Sequence, residues 1–384
     1  MSSYTKIIIH FSALFVNRIF CIAPFDKKIF TNSVICDTII KMRLEVTMKK
    51  ALKITGIVIV SIVVVAMLAL LGFKAYDSIR YSSFYSGAEK EFVIPGLKEN
   101  YVPQGFDYLS EKDLFLACGY MSDGTASRVY VIDKYGNSTC TELKDKYGAD
   151  YTGHTGGVAY YQDYLYITGS DGVDVFTLSD VLDGKKETFL KGTIKTGEVN
   201  PAYCFIYDGE LFVGAFHKDG DYNTPESHHI VIDEKTGETN RALMLTYKLS
   251  TETGSTFGVE PQPKSIYSMP SYVQGVYIYG EAGQRKMIVS TSWGLTTSKL
   301  YIHDFEKIAG ENCAVSTSYL FGQDNPLPMY KVRQSTLVDT ISAPPMAEEI
   351  VYYKGKIWVM NESACNKYIF GKITTGNYLF SYEY

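Results

Sequence analysis

The chain has 384 residues, a net charge of −5 and 46% apolar residues, enough to bury a large core. With no long basic run and an acidic balance, nucleic acid is excluded as the main partner. Tyr (32 copies) and Gly (32) are abundant, whereas Trp has only 2, a bias toward aromatic strands separated by turns.

Residues 1–47 come first. An apolar stretch here is broken by His10, Asn17, Arg18 and Pro24. The run Met48-Lys49-Lys50 reads like a natural start, so 1–47 is expected to be a cytoplasmic or misassigned extension. A second, poorer membrane segment is the alternative. Residues 48–53 form a basic flank containing Lys49, Lys50 and Lys53.

Residues 54–73 follow without a single charge. As a helix they span about 30 Å, the thickness of a bilayer's hydrocarbon core. A cleaved signal peptide has a shorter apolar stretch, about 7–15 residues. The expectation is therefore one uncleaved transmembrane helix, with cleavage and secretion as the alternative. The lysines on its N-terminal side place the N-terminus in the cytoplasm by the positive-inside rule. The rest of the chain then lies outside the cell membrane, beyond a polar spacer at 74–90.

From residue 91 onward the pattern changes to short strands and turns. Five units start alike, near Pro103-Gln104-Gly105, Gly156-Gly157-Val158, Ala202-Tyr203-Cys204, Gln274-Gly275-Val276 and Glu348-Glu349-Ile350. Each continues into a turn and a second apolar strand. A third strand is read at Ser127 to Asp133, Ser227 to Asp233 and Ser298 to Asp304, with shorter versions at Val173 to Phe176 and Lys367 to Phe370. A unit of three or four antiparallel strands repeated five times predicts an all-β domain, a β-propeller of five blades, with six or seven as the alternative. The spacing exceeds the usual blade period of about 40–50 residues, so insertions are expected near 240–270 and 306–344, as long loops or degenerate blades. Glu91-Phe92-Val93-Ile94 precedes the first unit and is expected to complete the last blade, closing the ring and removing exposed edges.

The first strand of a blade lines the central channel. Gln104, Gly156, Ala202, Gln274 and Glu348 align at one position there. Gly105, Gly157, Tyr203, Gly275 and Glu349 align at the next. Glycine is expected where backbones crowd the axis. The Gln and Glu side chains are either hydrogen-bonders in a watery bore or a ligand site. Catalytic candidates are Glu348, Glu349, Glu362 and His154, because paired carboxyls of unequal burial can divide acid and base roles. Ligand-binding candidates are Gln104 and Gln274 with the recurrent loop aromatics Tyr120, Phe216 and Trp293, which otherwise wedge between blades.

His228-His229 resembles a metal pair, but adjacent strand residues face opposite ways. Asp219-Gly220-Asp221-Tyr222-Asn223 resembles half a calcium loop and lacks the closing Glu. No metal site or cofactor is therefore predicted, and a channel cation such as calcium is the exception allowed. Cys118 and Cys204 are expected as small buried residues in strands. No hydrolase elbow, zinc-protease or phosphate-loop motif occurs.

The strings Val102-Pro103-Gln104-Gly105, Val273-Gln274-Gly275 and Pro344-Pro345-Met346-Ala347-Glu348-Glu349, with Glu362-Ser363-Ala364 following, resemble a group of uncharacterised bacterial secreted or membrane-anchored β-propellers. The domain is more distantly similar to lactonase-like and quinoprotein-like propellers, without the full metal-ligand set of the former or the tryptophan-docking repeat of the latter. The resemblance implies fold and no activity. The expected function is binding of a peptide, glycan or small molecule at the cell surface. The alternative is a hydrolase or lyase using the carboxylate and histidine candidates.

Overall fold

The structure, a computed structural model, describes residues 33–322 and 325–384 and divides into two units, residues 1–72 and 73–384. In the first, the described residues form one helix, part of Ser33–Arg80, and its aliphatic side chains are exposed. It is the one helix among the described residues long and apolar enough to cross a membrane, by length and composition. Residues 33–47 continue it toward the N-terminus; the rest of the expected extension lies outside the described residues.

The second unit is a five-bladed β-propeller. The inner strands are Tyr101–Leu109, Val158–Tyr161, Pro201–Tyr207, Val273–Tyr279 and Ala347–Tyr353. Each pairs antiparallel with a second strand: Leu114–Met121, Tyr164–Gly169, Glu210–Ala215, Lys286–Thr291 and Lys356–Asn361. Blades pack through aromatic seams. Phe115 of blade 1 stacks on Trp358 of blade 5 at 4.8 Å and on Phe106 at 5.4 Å. The ring closes as expected. Strand Ala88–Val93 pairs antiparallel with Tyr378–Glu383 and becomes the outer strand of blade 5. Joining the two ends of the domain in one sheet leaves no open inter-blade gap.

The stretch 74–90, expected as a spacer, is largely exposed but carries three buried side chains, Asp77, Tyr81 and Phe84. The long helix ends at Arg80, a short helix covers Ser82–Gly87, and the first strand starts at Ala88. Tyr81 and Phe84 are buried, and Phe84 stacks on Tyr382 at 5.5 Å.

Neither insertion is an extra blade. The first holds the third and fourth strands of blade 3, Ala242–Lys248 and Ser265–Met269. The second adds Leu327–Lys331 and Asn312–Val315 to the same sheet's edge, then supplies the outer strand of blade 4, Leu337–Ala343.

Two expected third strands are corrected. Ile230–Asp233 forms a hairpin with Glu238–Asn240 outside the blade, and Ala242–Lys248 takes the third-strand place. What this string shares with blade 1 is its ending. Asp233 accepts from the N–H of Lys235 at 2.8 Å, as Asp133 does from Tyr135 at 2.8 Å. The repeated pattern thus marks an Asp-capped turn. The true strand is buried along six of its seven residues, so it lacks the alternation that signals a strand. In blade 5, residues 367–370 lead into the helix Ile369–Thr375, and the third strand is Tyr378–Glu383.

His228 and His229 are likewise not strand neighbours. His228 is buried in a short turn, Glu226–His228. The His229 ring lies 5.4 Å from that of His217. The half calcium loop is occupied by cations of the chain itself: Asp219 pairs with Arg241 at 2.5 Å, and Asp221 pairs with Lys218. Cys118 and Cys204 are buried free thiols.

The inner strands approach closely at the axis. A Cβ on Gly157 would lie 2.5 Å from the Cys204 nitrogen and 2.7 Å from Glu349 Oε1. Gly157→Ala is therefore expected to destabilise the propeller by about 2–3 kcal/mol through overpacking against backbone. The measurement is chemical unfolding of the full chain in detergent, followed by the emission of buried Trp358. An unchanged midpoint would show that the axis has room to relax.

Candidate functional site

Inner strands of four blades carry a register irregularity at the aligned position. The ladder slips between Pro103 and Gly105, Pro201 and Tyr203, Val273 and Gly275, and Ala347 and Ile350. The residues extruded are Gln104, Ala202, Gln274 and the pair Glu348-Glu349. A bulge re-aims side chains that regular pleating would send to opposite faces. It accounts for two adjacent glutamates both meeting groups of other blades.

Glu349 sits on the axis. Its Oε2 accepts from the N–H of Phe106 at 2.7 Å and of Val158 at 3.2 Å; its Oε1 accepts from Cys204 N–H at 3.1 Å. One carboxyl thus joins the inner strands of blades 1, 2 and 3 to blade 5. Burial pushes this carboxyl well above the usual range, and the three N–H donors oppose that shift. Its role is to tie backbone together, so it is a poor catalytic candidate.

Glu348 is also buried, and meets side chains instead. Gln274 Nε2 donates to its Oε1 at 3.2 Å and lies 3.5 Å from Ser292 Oγ. Glu362, on the loop after the second strand of blade 5, accepts from the Tyr120 hydroxyl at 3.3 Å. Gln104 and Tyr368 also hydrogen-bond Glu362. Lys367 Nζ donates to Tyr120 at 2.6 Å. Burial raises Glu362 to about 7, against the pull of Lys367. Burial and the neighbouring Glu362 and Glu349 raise Glu348 well above the usual range. The His154 ring lies 4.4 Å from that of Tyr120, and desolvation and Lys367 lower its pKa.

Hydrogen bonds, a ring contact and the carboxyl–carboxyl interaction therefore link Gln104, Tyr120, His154, Gln274, Glu348 and Glu362 into one cluster. Phe216 and Trp293 form a second group beside it, with ring centroids 6.0 Å apart. Tyr222 lies 5.4 Å from Phe216 and 5.8 Å from Trp293, and Lys218 Nζ stands 4.6 Å over the indole. Ser292, which meets Gln274, directly precedes Trp293 and links the two groups. None of these rings is fully buried except Tyr120, so Phe216 and Trp293 do not serve as blade wedges.

Sequence reasoning missed Lys367, Tyr368, Tyr222 and Ser292. Reading 367–370 as a strand hid the first two. An informative signal was their position five and six residues after Glu362, within reach of a loop that folds back. Among the described residues, no three His, Cys, Asp or Glu side chains gather as a metal site. Two carboxyls and the Gln carbonyls are what the mouth would offer a cation.

No family model matches the chain, and no curated protein matches it. Solved structures do. The PQQ-bound aldose sugar dehydrogenase of Streptomyces coelicolor is 13% identical over 77% of this chain and 97% of its own, at a TM-score of 0.38. The RS223 β-xylosidase is 13% identical over 76% of this chain and 94% of its own, at 0.39. Hydrazine synthase of Kuenenia stuttgartiensis is 13% identical over 68% and 80%, at 0.36. The chain itself is a five-bladed β-propeller preceded by one long apolar helix.

Proposed function

We propose that this chain is a single-pass protein of the cell membrane, with a cytoplasmic N-terminus and an outer propeller that binds a peptide, glycan or small molecule at its axial mouth. The observation that carries the binding site is the Glu348–Glu362 pair. Both are held in a desolvated place where each raises the other's cost of ionisation. Unlike Glu349, neither carboxyl accepts a bond from inner-strand backbone in the way that would hold the ring together. Desolvated carboxyls bonded to side chains rather than to inner-strand backbone, beside half-buried rings, are the usual make-up of a ligand site.

A glycan array probed with the detergent-solubilised full chain tests this directly. Retention of a defined glycan class, lost in Glu348→Ala, is the expected result. Identical retention by parent and variant would remove the mouth from the reading. A calcium ion between the two carboxyls is the cation version. It predicts that calcium raises the parent's melting temperature but not that of Glu348→Gln, and an equal response in both would end it.

The enzyme reading draws on one specific value. A carboxyl near 7 is poised to donate and accept protons at neutral pH. With His154 and Tyr120 alongside, Glu362 would act as acid or base in a hydrolase or lyase. That reading requires product formation that disappears in Glu362→Gln while binding persists.

Topology has its own test. Protease added to intact cells is expected to remove the propeller and leave the anchored helix. A propeller that resists until the cells are lysed would reverse the orientation.

A further inference from the structure

The propeller unit begins at Phe73, the last residue of the uncharged apolar stretch. Its ring packs edge-on against Phe370, with centroids 6.4 Å apart. Seven residues later, Arg80 donates to Thr297 Oγ1 through Nη2 at 2.7 Å and through Nε at 3.2 Å. Phe370 lies on the helix Ile369–Thr375, within the connection after the second strand of blade 5, and Thr297 on the corresponding loop of blade 4. These are the same two connections that carry Glu362, Lys367 and Trp293. Around this entry point several apolar side chains stand in solvent: Ile79 is 74% exposed, Ile369 70%, Phe370 60% and Leu295 50%. Exposed basic residues accompany them, namely Lys74, Arg80 and Lys367.

We propose that this edge of the loop face, built from Ile369, Phe370 and Leu295, docks into the interfacial region of the bilayer that holds the apolar helix. The inference rests on the anchor reading above and adds where the mouth points. Covalent connection commits the edge to one occupant. Phe73 leaves the hydrocarbon as the span ends, and Phe370 is one ring away from it. Apolar side chains that the propeller leaves largely in solvent gain by entering the acyl boundary. Lysine and arginine beside them attract anionic headgroups. The axial mouth then opens at the leaflet surface, and its ligands are drawn from headgroups or lipid-linked molecules displayed there.

Full-length chain reconstituted in vesicles tests this with lipids brominated on the acyl chain, which quench nearby indoles. In a Trp293→Phe background, Phe370→Trp and Leu295→Trp report on the edge. Tyr135→Trp reports on a strand hairpin at the opposite end of blade 1, where Tyr135 is 77% exposed. All three positions are exposed, so the substitutions leave the core intact. The expected result is at least twofold quenching at 370 and 295 with little at 135. Retention of the chain through a high-pH wash with equal, weak quenching at all three positions would overturn the docking edge alone. Release of the chain by that wash would overturn the anchor, and the docking edge with it.

Discussion

Replacing Glu349 with Ala should unfold this propeller more readily than any other single change at its axis. Three inner-strand N–H groups, from Phe106, Val158 and Cys204, converge on the two carboxyl oxygens. They belong to three different blades, and Glu349 belongs to a fourth. Removing the side chain strands buried donors, each at a cost of about 1–3 kcal/mol, offset where water enters the vacated space. The net loss is expected at about 3–5 kcal/mol. Glu349→Gln is the sharper test. The amide keeps size and shape but offers a single acceptor oxygen. Its oxygen can satisfy Phe106 and Val158, and its NH2 then faces the N–H of Cys204. A loss of about 1–3 kcal/mol is expected from that one mismatch. Unfolding of the full chain in detergent, read from Trp358 at the seam between blades 5 and 1, measures both. A Gln variant as stable as the parent would show that the carboxyl is not the clasp the geometry describes.

Glu349 also shows what was legible in the sequence. The aligned repeats placed Gly105, Gly157, Gly275 and Glu349 at one register position. Crowding explained the glycines: the Gly157 Cα faces the Glu349 carboxyl across the axis. That a glutamate stands where three blades have small residues was visible, but its partners are backbone groups, which leave no trace in side-chain pattern. The bulge was not legible either. Strict alternation would have sent Glu348 and Glu349 to opposite faces, and only the slip between Ala347 and Ile350 lets both act near the axis. The third strands failed for a third reason. An Asp-capped turn repeats in the sequence as faithfully as a strand does, so Ile230–Asp233 matched blade 1 while pairing elsewhere. Ring closure succeeded because it depends on a physical demand, an edge that must be paired, rather than on matching letters.

Glu348→Gln and Glu362→Gln should do the reverse of Glu349→Gln: stabilise the domain at neutral and alkaline pH. The Glu362 carboxyl stands at about 7 in the folded chain against an ordinary value of 4.5, with burial as the main cause. A carboxyl raised in this way contributes its full stability below 4.5, where both states are protonated. That contribution is lost as pH rises through about 7, because ionising the buried group then opposes folding. From pH 5 to pH 8 the loss is on the order of 2–3 kcal/mol for Glu362, by the linkage of one pKa unit to about 1.4 kcal/mol. Gln cannot ionise, so the variant keeps the low-pH stability throughout. At position 348 the amide carbonyl still accepts from Gln274, so no bond is lost. Buried His228 and His303, held down to about 4 by burial, act in the opposite sense, losing stability as pH falls below 6.5. The readout is therefore the difference between variant and parent across pH: for Glu362→Gln it is small at pH 5 and grows to its full size by pH 8, and for Glu348→Gln it likewise grows as pH rises. A flat difference would mean that the carboxyls ionise freely in the folded chain. Stability gained together with glycan binding lost is what a functional carboxyl shows. Stability gained with binding intact would leave Glu362 and Glu348 as a cost of the bulge alone. The neighbouring pair, 348 and 349, thus separates by one isosteric substitution at each position: the first should raise stability and remove the ligand, and the second should weaken the ring.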